Sequence, residues 1–114
     1  MVRIYHNSRC SKSRATLALL EERGCPVEVI NYLDTPPDAN QLAVLLKQLG
    51  MRTRELMRTG ETDYQSLGLT DPSLDDDALI AAMVAHPKLI ERPIVVANGR
   101  AAIGRPPEAV LAIL

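Results

Sequence analysis

The sequence is poor in aromatic residues and carries almost no net charge. Its 114 residues include three tyrosines, no tryptophan and no phenylalanine, and the formal net charge is -1. Proteins that bind nucleic acids generally present a strongly basic face, and those that bind single strands add aromatic rings on which bases stack. We therefore expect no nucleic-acid partner.

Long hydrophobic runs and a disulfide framework are also missing. The longest uninterrupted apolar run, residues 78–85, is far shorter than the roughly 20 residues that cross a bilayer, and the N-terminus lacks the apolar segment of a signal peptide. Two cysteines are too few for a disulfide framework, so both are expected to be reduced thiols. These absences predict a cytoplasmic protein with no membrane partner.

The residues that are present predict one folded domain that begins with a strand-helix-strand unit. Hydrophobic residues make up 46% and charged residues 24%, as in ordinary globular domains. A strand at residues 2–5 leads through a polar loop, 7–13, into a helix that Gly24 ends, and a second strand follows at 27–33. Strands joined in this way pair in parallel, with a right-handed crossover.

The middle third has a helical pattern. The sequence at 35–38, Thr-Pro-Pro-Asp, predicts a helix with proline at its first position, and Gly50 ends that helix. Ser73 and Asp76 form a second capping box, which opens a helix ended by Pro87. Short helical turns are expected near residues 55–57 and 63–67.

The last third returns to strand. Strands at residues 94–97 and 101–103 flank Asn98-Gly99, a dipeptide typical of tight hairpin turns, so this pair should be antiparallel. Pro106-Pro107-Glu108 then opens a final helix. The predicted fold class is α/β, a βαβ unit followed by ββα around a mixed four-stranded sheet. We expect a single domain over residues 1–114, with a helical insertion at about 38–87 between the two halves.

Cys10 is the candidate nucleophile. It lies in a polar loop just before the first predicted helix, where backbone N–H groups favour an anion. The first twenty residues contain no acid, and their cations are Arg3, Arg9, Lys12 and Arg14. Neighbouring cations and helix N-termini lower a thiol pKa from about 8.5 into a range where the reactive thiolate exists at neutral pH. The alternative, a buried structural cysteine, fits poorly in such a polar loop.

Cys25 is an unsuitable disulfide partner for Cys10. The two residues lie on opposite ends of the first predicted helix, roughly 15 to 20 Å apart, whereas a disulfide needs Cα atoms within about 7 Å. The electrons that regenerate an oxidised Cys10 must then come from an outside thiol such as glutathione. Ser13 agrees with this, because it stands where a Cys-x-x-Cys enzyme has its second cysteine. The two cysteines and two histidines do not show zinc-ligand spacing, so no metal site is expected.

Four motifs, in order along the whole chain, resemble the glutaredoxin-linked arsenate reductase family (ArsC type), whose fold is thioredoxin-like. They are Tyr5-His6-Asn7-x-x-Cys10-x-x-Ser13-Arg14, Leu56-Met57-Arg58 before Tyr64-x-x-Leu67-Gly68-Leu69, Glu91-Arg92-Pro93-Ile94, and Gly104-Arg105-Pro106 before Glu108.

The resemblance implies roles for particular residues. The nucleophile falls on Cys10, and three oxyanion-binding arginines fall on Arg58, Arg92 and Arg105. Forked guanidinium groups suit a tetrahedral oxyanion better than lysine does, because they donate in planar pairs. His6 and Ser13 match positions that help to keep the thiol ionised, although from the residues alone a strand-end hydrogen bond is the more usual role for His6. Arg14 joins this thiolate-tuning group through its charge, and the resemblance implies that Pro93 is cis.

The implied reaction is the reduction of arsenate to arsenite, a step of arsenic detoxification. The Cys10 thiolate attacks arsenate, glutathione displaces oxide, and glutaredoxin reduces the mixed species. Glutathione and glutaredoxin are thus the expected co-substrate and protein partner, with no tightly bound cofactor.

Three alternatives remain at this point. A glutathione-dependent thiol reductase on the same fold would use Cys10 but not all the arginines, and the presence of Ser11-Lys12, where well-known arsenate reductases have Gly-Thr, leaves the substrate open. A regulator resembling Spx would sense oxidation through Cys-x-x-Cys, which Ser13 disrupts. A phosphatase-type loop, Cys-x5-Arg, is disfavoured because Thr16 stands where its arginine would be.

Overall fold

A four-stranded mixed sheet carries the two ends of the chain. The structure, a computed structural model, describes residues 2–114. The strands are β1 (Val2–His6), β2 (Val27–Asn31), β3 (Ile94–Ala97) and β4 (Arg100–Ile103), in the order β2-β1-β3-β4. β1 pairs with β2 in parallel, and the β1–β3 and β3–β4 pairs are antiparallel. The predicted mixed sheet is confirmed.

Four α-helices and three 3₁₀ segments complete the chain. The α-helices are α1 (Ser11–Glu22), α2 (Ala39–Leu49), α3 (Thr62–Ser66) and α4 (Asp76–Ala85). The 3₁₀ segments are Thr53–Leu56, Pro87–Leu89 and Pro107–Ile113. The last one corrects the expectation of a closing α-helix, because the final turns are wound more tightly. Across residues 2–114, no helix has both the length and the apolar character needed to span a membrane.

The chain divides into two compact units. The first joins the segment before residue 36 to Arg92–Leu114 and contains the sheet, α1 and the C-terminal 3₁₀ helix; the second is Pro36–Glu91 and contains α2, α3 and α4. The predicted insertion at about 38–87 falls inside the second unit. That the whole chain acts as a single domain stays a prediction.

The core of the first unit lies between the sheet and α1. Ile4 of β1, Leu20 of α1, Val95 of β3 and Val110 of the last 3₁₀ helix are completely buried in one cluster. Burying such side chains contributes roughly 1.5 to 3 kcal/mol each. The cluster therefore fixes α1, and the loop that precedes it, against the centre of the sheet.

Turn geometry sets the ends of the strands. Asn98 and Gly99 both have positive φ angles, 55° and 74°, as a tight hairpin turn between β3 and β4 requires, so the predicted hairpin is confirmed. The expected second strand, 27–33, was too long. It ends at Asn31, because the Asn31 carbonyl accepts hydrogen bonds from the N–H groups of Asp34 and Thr35 and closes a turn.

In the second unit, aspartates rather than the expected residues cap the helices. Asp38 is the N-cap of α2, and its carboxylate accepts from the Gln41 N–H at 2.8 Å, so the two prolines precede the helix instead of beginning it. Asp75 caps α4 by accepting from the Ala78 N–H at 2.9 Å. Ser73 was the wrong choice, since its hydroxyl and N–H both donate to Asp71.

One arginine ties together the loops of the second unit. Arg54 donates to the Tyr64 hydroxyl at 2.9 Å, to the Leu69 carbonyl at 2.6 Å and to the Asp71 carbonyl. Because the donor and its last acceptor are the ends of an 18-residue stretch from Arg54 to Asp71, one side chain organises the segment between α2 and α4. No pattern in the sequence indicates this contact.

Candidate active site

Cys10 lies where the sheet meets the first helix. It is the N-cap residue of α1, in extended conformation at φ -95° and ψ 123°, and only 8% of it is exposed. The loop before it is a closed turn, because the Cys10 N–H donates to the Asn7 carbonyl at 3.0 Å and the Arg9 N–H donates to the Asn7 side chain at 3.0 Å. The polar loop therefore holds the sulfur in a fixed and largely sheltered position.

The surroundings of Cys10 favour its thiolate. Burial by itself would raise the pKa of the Cys10 thiol, but the backbone N–H of Ser13, the charge of Arg92, the N–H of Lys12 and the charge of Arg105 together hold that pKa below the usual 9.0. The Cys10 side chain makes no capping hydrogen bond. The N–H groups of the first turn act on its sulfur as the positive end of the helix. The site thus keeps a nucleophile available nearer to neutral pH.

Two arginines of the first unit act on the sulfur through their charge, and one of them lies beside it. The Arg105 Nη2 atom lies 3.6 Å from Cys10 Sγ, and its Nε donates to the Arg92 carbonyl at 2.8 Å. The carbonyl bond fixes the direction of the guanidinium and leaves it facing the thiol. Both arginines precede a cis proline, Pro93 and Pro106, so the implication that Pro93 is cis is confirmed.

His6 and Ser13 form a buried pair behind the loop. His6 Nδ1 and Ser13 Oγ are 2.7 Å apart, and Ser13 Oγ also accepts from the Asn7 N–H at 3.0 Å. Burial, reinforced by the charge of Arg14, lowers the pKa of His6, which favours the neutral imidazole. The pair ties the end of β1 to the first turn of α1. A direct effect of the His6 or Ser13 side chain on the thiolate stays a prediction.

Arg14 binds the loop that precedes the first helix. Its Nη1 atom donates to the Ser8 carbonyl at 2.9 Å. This contact holds the chain between β1 and α1 against the helix. Its thiolate-tuning role also stays a prediction.

Arg58, the third arginine implied by the resemblance, belongs to the second unit. Its backbone N–H donates to the Leu89 carbonyl at 2.7 Å, and its guanidinium lies 3.7 Å from the carboxylate of Glu61. The side chain is about a quarter exposed, at 28%. It is therefore a partly buried cation held within its own unit, and its oxyanion-binding role stays a prediction.

A small polar cavity borders the loop that carries Cys10. Its volume is about 290 Å³, and it opens at the carboxyl ends of the parallel strands β1 and β2. The lining residues are His6, Asn7, Ser8, Arg9, Asn31, Leu33 and Asp34. Arg9 and Asp34 give this wall charges of opposite sign, which suits a zwitterionic ligand. No pattern in the sequence had linked Asp34 to the loop.

Thr16 and Gly104 meet beside the site, a contact that no sequence motif indicates. Thr16 is completely buried in α1, and its hydroxyl donates to the Lys12 carbonyl at 2.8 Å. The Gly104 carbonyl lies 3.5 Å from the same hydroxyl. The only signal in the sequence was the glycine of the Gly104-Arg105-Pro106 motif. Both cysteines are free thiols, and no group of three metal-ligating side chains occurs among residues 2–114.

Comparison with known proteins gives consistent matches over the whole chain. The sequence model described as "ArsC family" matches residues 5–113. The chain is 63% identical to the uncharacterized protein YfgD of Escherichia coli, over 99% of this chain and 96% of that protein. It is 54% identical to the arsenate reductase of Neisseria meningitidis, over 99% and 97% of the two chains. The solved structure of the arsenate reductase from Vibrio cholerae superposes with a TM-score of 0.97, at 59% identity over 99% and 97%.

Proposed function

The chain belongs to the ArsC family and has its thioredoxin-like fold, and we propose that it reduces arsenate to arsenite with the Cys10 thiolate as nucleophile. The observation that carries the proposal is the Arg105 guanidinium 3.6 Å from the Cys10 sulfur. A cation in that position stabilises the thiolate and can also bind the oxyanion that the thiolate attacks. Relatives named arsenate reductase, at 54% and 42% identity, support the choice of substrate.

The first step forms a bond between the Cys10 sulfur and arsenic. The thiolate attacks arsenate, a protonated oxygen leaves as water, and the product is a thiol-arsenate ester. Charge that develops on the remaining oxygens is stabilised by Arg92 and Arg105, with Arg58 as the third donor implied by the family motif. Fixed donors of this kind typically contribute about 3 to 4 kcal/mol each to transition-state stabilisation.

Two outside thiols supply the electrons. Glutathione adds to arsenic with loss of a second oxygen as water, and glutaredoxin then takes the glutathionyl sulfur as a mixed disulfide, so arsenic gains two electrons. Water finally releases arsenite and restores Cys10. Cys25 follows the far end of the 12-residue helix α1, about 18 Å along its axis from Cys10, which supports an external reductant over an internal disulfide.

The polar cavity beside the loop supports glutathione as this thiol. Glutathione carries an ammonium group and two carboxylates, and the cavity wall offers Asp34 and Arg9 as partners of opposite sign. Arg9 directly precedes Cys10 in the chain. A co-substrate held at the wall would therefore have its own sulfur close to the ester.

The test is a coupled assay with purified protein. Glutathione, glutaredoxin, glutathione reductase and NADPH are mixed, and NADPH oxidation is followed before and after arsenate is added. We expect oxidation that depends on arsenate and is abolished by Cys10→Ser, whereas Cys25→Ser keeps the wild-type rate. Equal rates without arsenate, or on a glutathione mixed disulfide alone, would show a general thiol reductase instead.

A further inference from the structure

Gly104 lies in an unusually close contact within the first unit. A Cβ atom built at this position would lie 2.4 Å from Thr16 Oγ1 and 2.8 Å from Pro93 Cγ, both under the 3.0 Å that real Cβ atoms keep. The other five glycines would meet nothing within 4 Å. The constraint at Gly104 is one of space, because its φ angle is not in the left-handed region that only glycine adopts easily.

The neighbours of Gly104 cannot move aside easily. Thr16 is completely buried, and its hydroxyl is held by the Lys12 carbonyl at 2.8 Å in the first turns of α1. A β-branched side chain in a helix also has few rotamers available. On the other side, the Gly104 N–H donates to the Pro93 carbonyl at 3.0 Å. An added methyl group would therefore push the end of β4 away from α1.

The contact between Gly104 and Thr16 bears on the site because one side of it leads to the Cys10 sulfur and the other to the Arg105 guanidinium. Cys10 is the N-cap of α1, the helix that contains Thr16, whereas Arg105 directly follows Gly104. We propose that Gly104 and Thr16 are positioning residues whose contact sets the distance between the Arg105 guanidinium and the Cys10 sulfur. The inference rests on the role proposed above for Arg105, but not on the identity of the oxyanion.

The first experiment compares Gly104→Ala with Gly60→Ala, a matched control in open space. Alkylation of Cys10 by iodoacetamide, in a Cys25→Ser background, is measured from about pH 5 to 9. We expect Gly104→Ala to slow alkylation at about pH 6 by roughly twofold to fivefold, since the thiolate fraction below the pKa changes tenfold per pKa unit and displacing the Arg105 guanidinium cannot cost more than removing it. Gly60→Ala should keep the wild-type profile. A wild-type profile for folded Gly104→Ala would overturn the proposal.

A double-mutant cycle separates positioning from a general loss of structure. If Gly104 acts through Arg105, then Gly104→Ala causes no further slowing once Arg105→Gln has removed the guanidinium. Equal slowing in both backgrounds contradicts the proposal. If Gly104→Ala does not fold, Thr16→Ile, which adds volume from the helix side of the contact, is measured in the same two backgrounds and judged in the same way. Arsenate turnover of the wild type is measured separately, so its absence would refute the proposed function without affecting this result.

Discussion

Replacing Arg105 by glutamine should affect substrate turnover far more than it affects the thiol. Arg105 is exposed, and its Nη2 atom lies 3.6 Å from Cys10 Sγ. Two unit charges at that distance in water-like surroundings interact by about 1 kcal/mol. Losing this contact reduces the thiolate fraction below the pKa by roughly fivefold. Losing one oxyanion donor typically costs about 10² to 10³ in rate.

The two losses are measured separately. Iodoacetamide alkylation at about pH 6 reports the thiolate, and kcat/KM for arsenate in the coupled assay reports the oxyanion. Arg100→Gln is the matched control, because Arg100 is an exposed arginine at the start of β4, the strand that precedes Arg105, and we expect both measurements to stay at wild-type values. If kcat/KM for Arg105→Gln falls no further than alkylation does, Arg105 activates the sulfur but does not bind the oxyanion, and the reasoning is refuted.

Three further predictions concern stability. The pKa of Cys10 is lowered in the folded state, so the unfolded state binds more protons between the folded pKa and about 9. The free energy of unfolding should therefore increase with pH across that window, and this gain should be lost as the pH is lowered through the folded pKa. Cys10→Ser should lack this pH dependence in urea titrations. Leu20→Ala should cost about 2 to 5 kcal/mol because Leu20 is completely buried, whereas Val29→Ala, at a 43% exposed position, should change stability by less than about 0.5 kcal/mol. Arg54→Met should raise amide hydrogen exchange between α2 and α4, since three acceptors lose their donor; unchanged exchange would contradict its organising role.

Much of the sheet could be predicted because its signals are local. The alternating apolar residues of β1 and β2 flank one helical pattern, and Asn98-Gly99 is a turn dipeptide that few other structures use. Helix starts were less predictable. Residues Pro36, Pro37 and Ser73 fit a capping pattern, but the carboxylates of Asp38 and Asp75 provide the caps. Ser and Asp have similar preferences for the N-cap position, so the sequence does not decide between neighbouring candidates.

The candidate site was predictable in composition but not in geometry. Cys10 and its cationic loop could be identified because the cysteine and the cations are neighbours in the sequence. The contact between Arg105 and the sulfur joins residues 95 positions apart, and the Thr16–Gly104 contact joins residues 88 positions apart. Neither spacing leaves a periodic trace in the sequence, because tertiary packing alone creates it. The Arg105 guanidinium contacts two groups, the Arg92 carbonyl through Nε and the Cys10 sulfur through Nη2. The motifs gave no indication of this arrangement.

The position of Cys10 at one end of α1, with Cys25 beyond the other end, has a consequence for damage by peroxide. A thiolate is the form that peroxide oxidises, first to a sulfenic acid. Enzymes with a second thiol nearby trap that acid as a disulfide, which reductants reverse. In this chain the other thiol is a 12-residue helix away, so a sulfenic acid that meets no outside thiol is open to oxidation by a second peroxide to the sulfinic acid. Each sulfinic acid formed at Cys10 inactivates one protein molecule irreversibly.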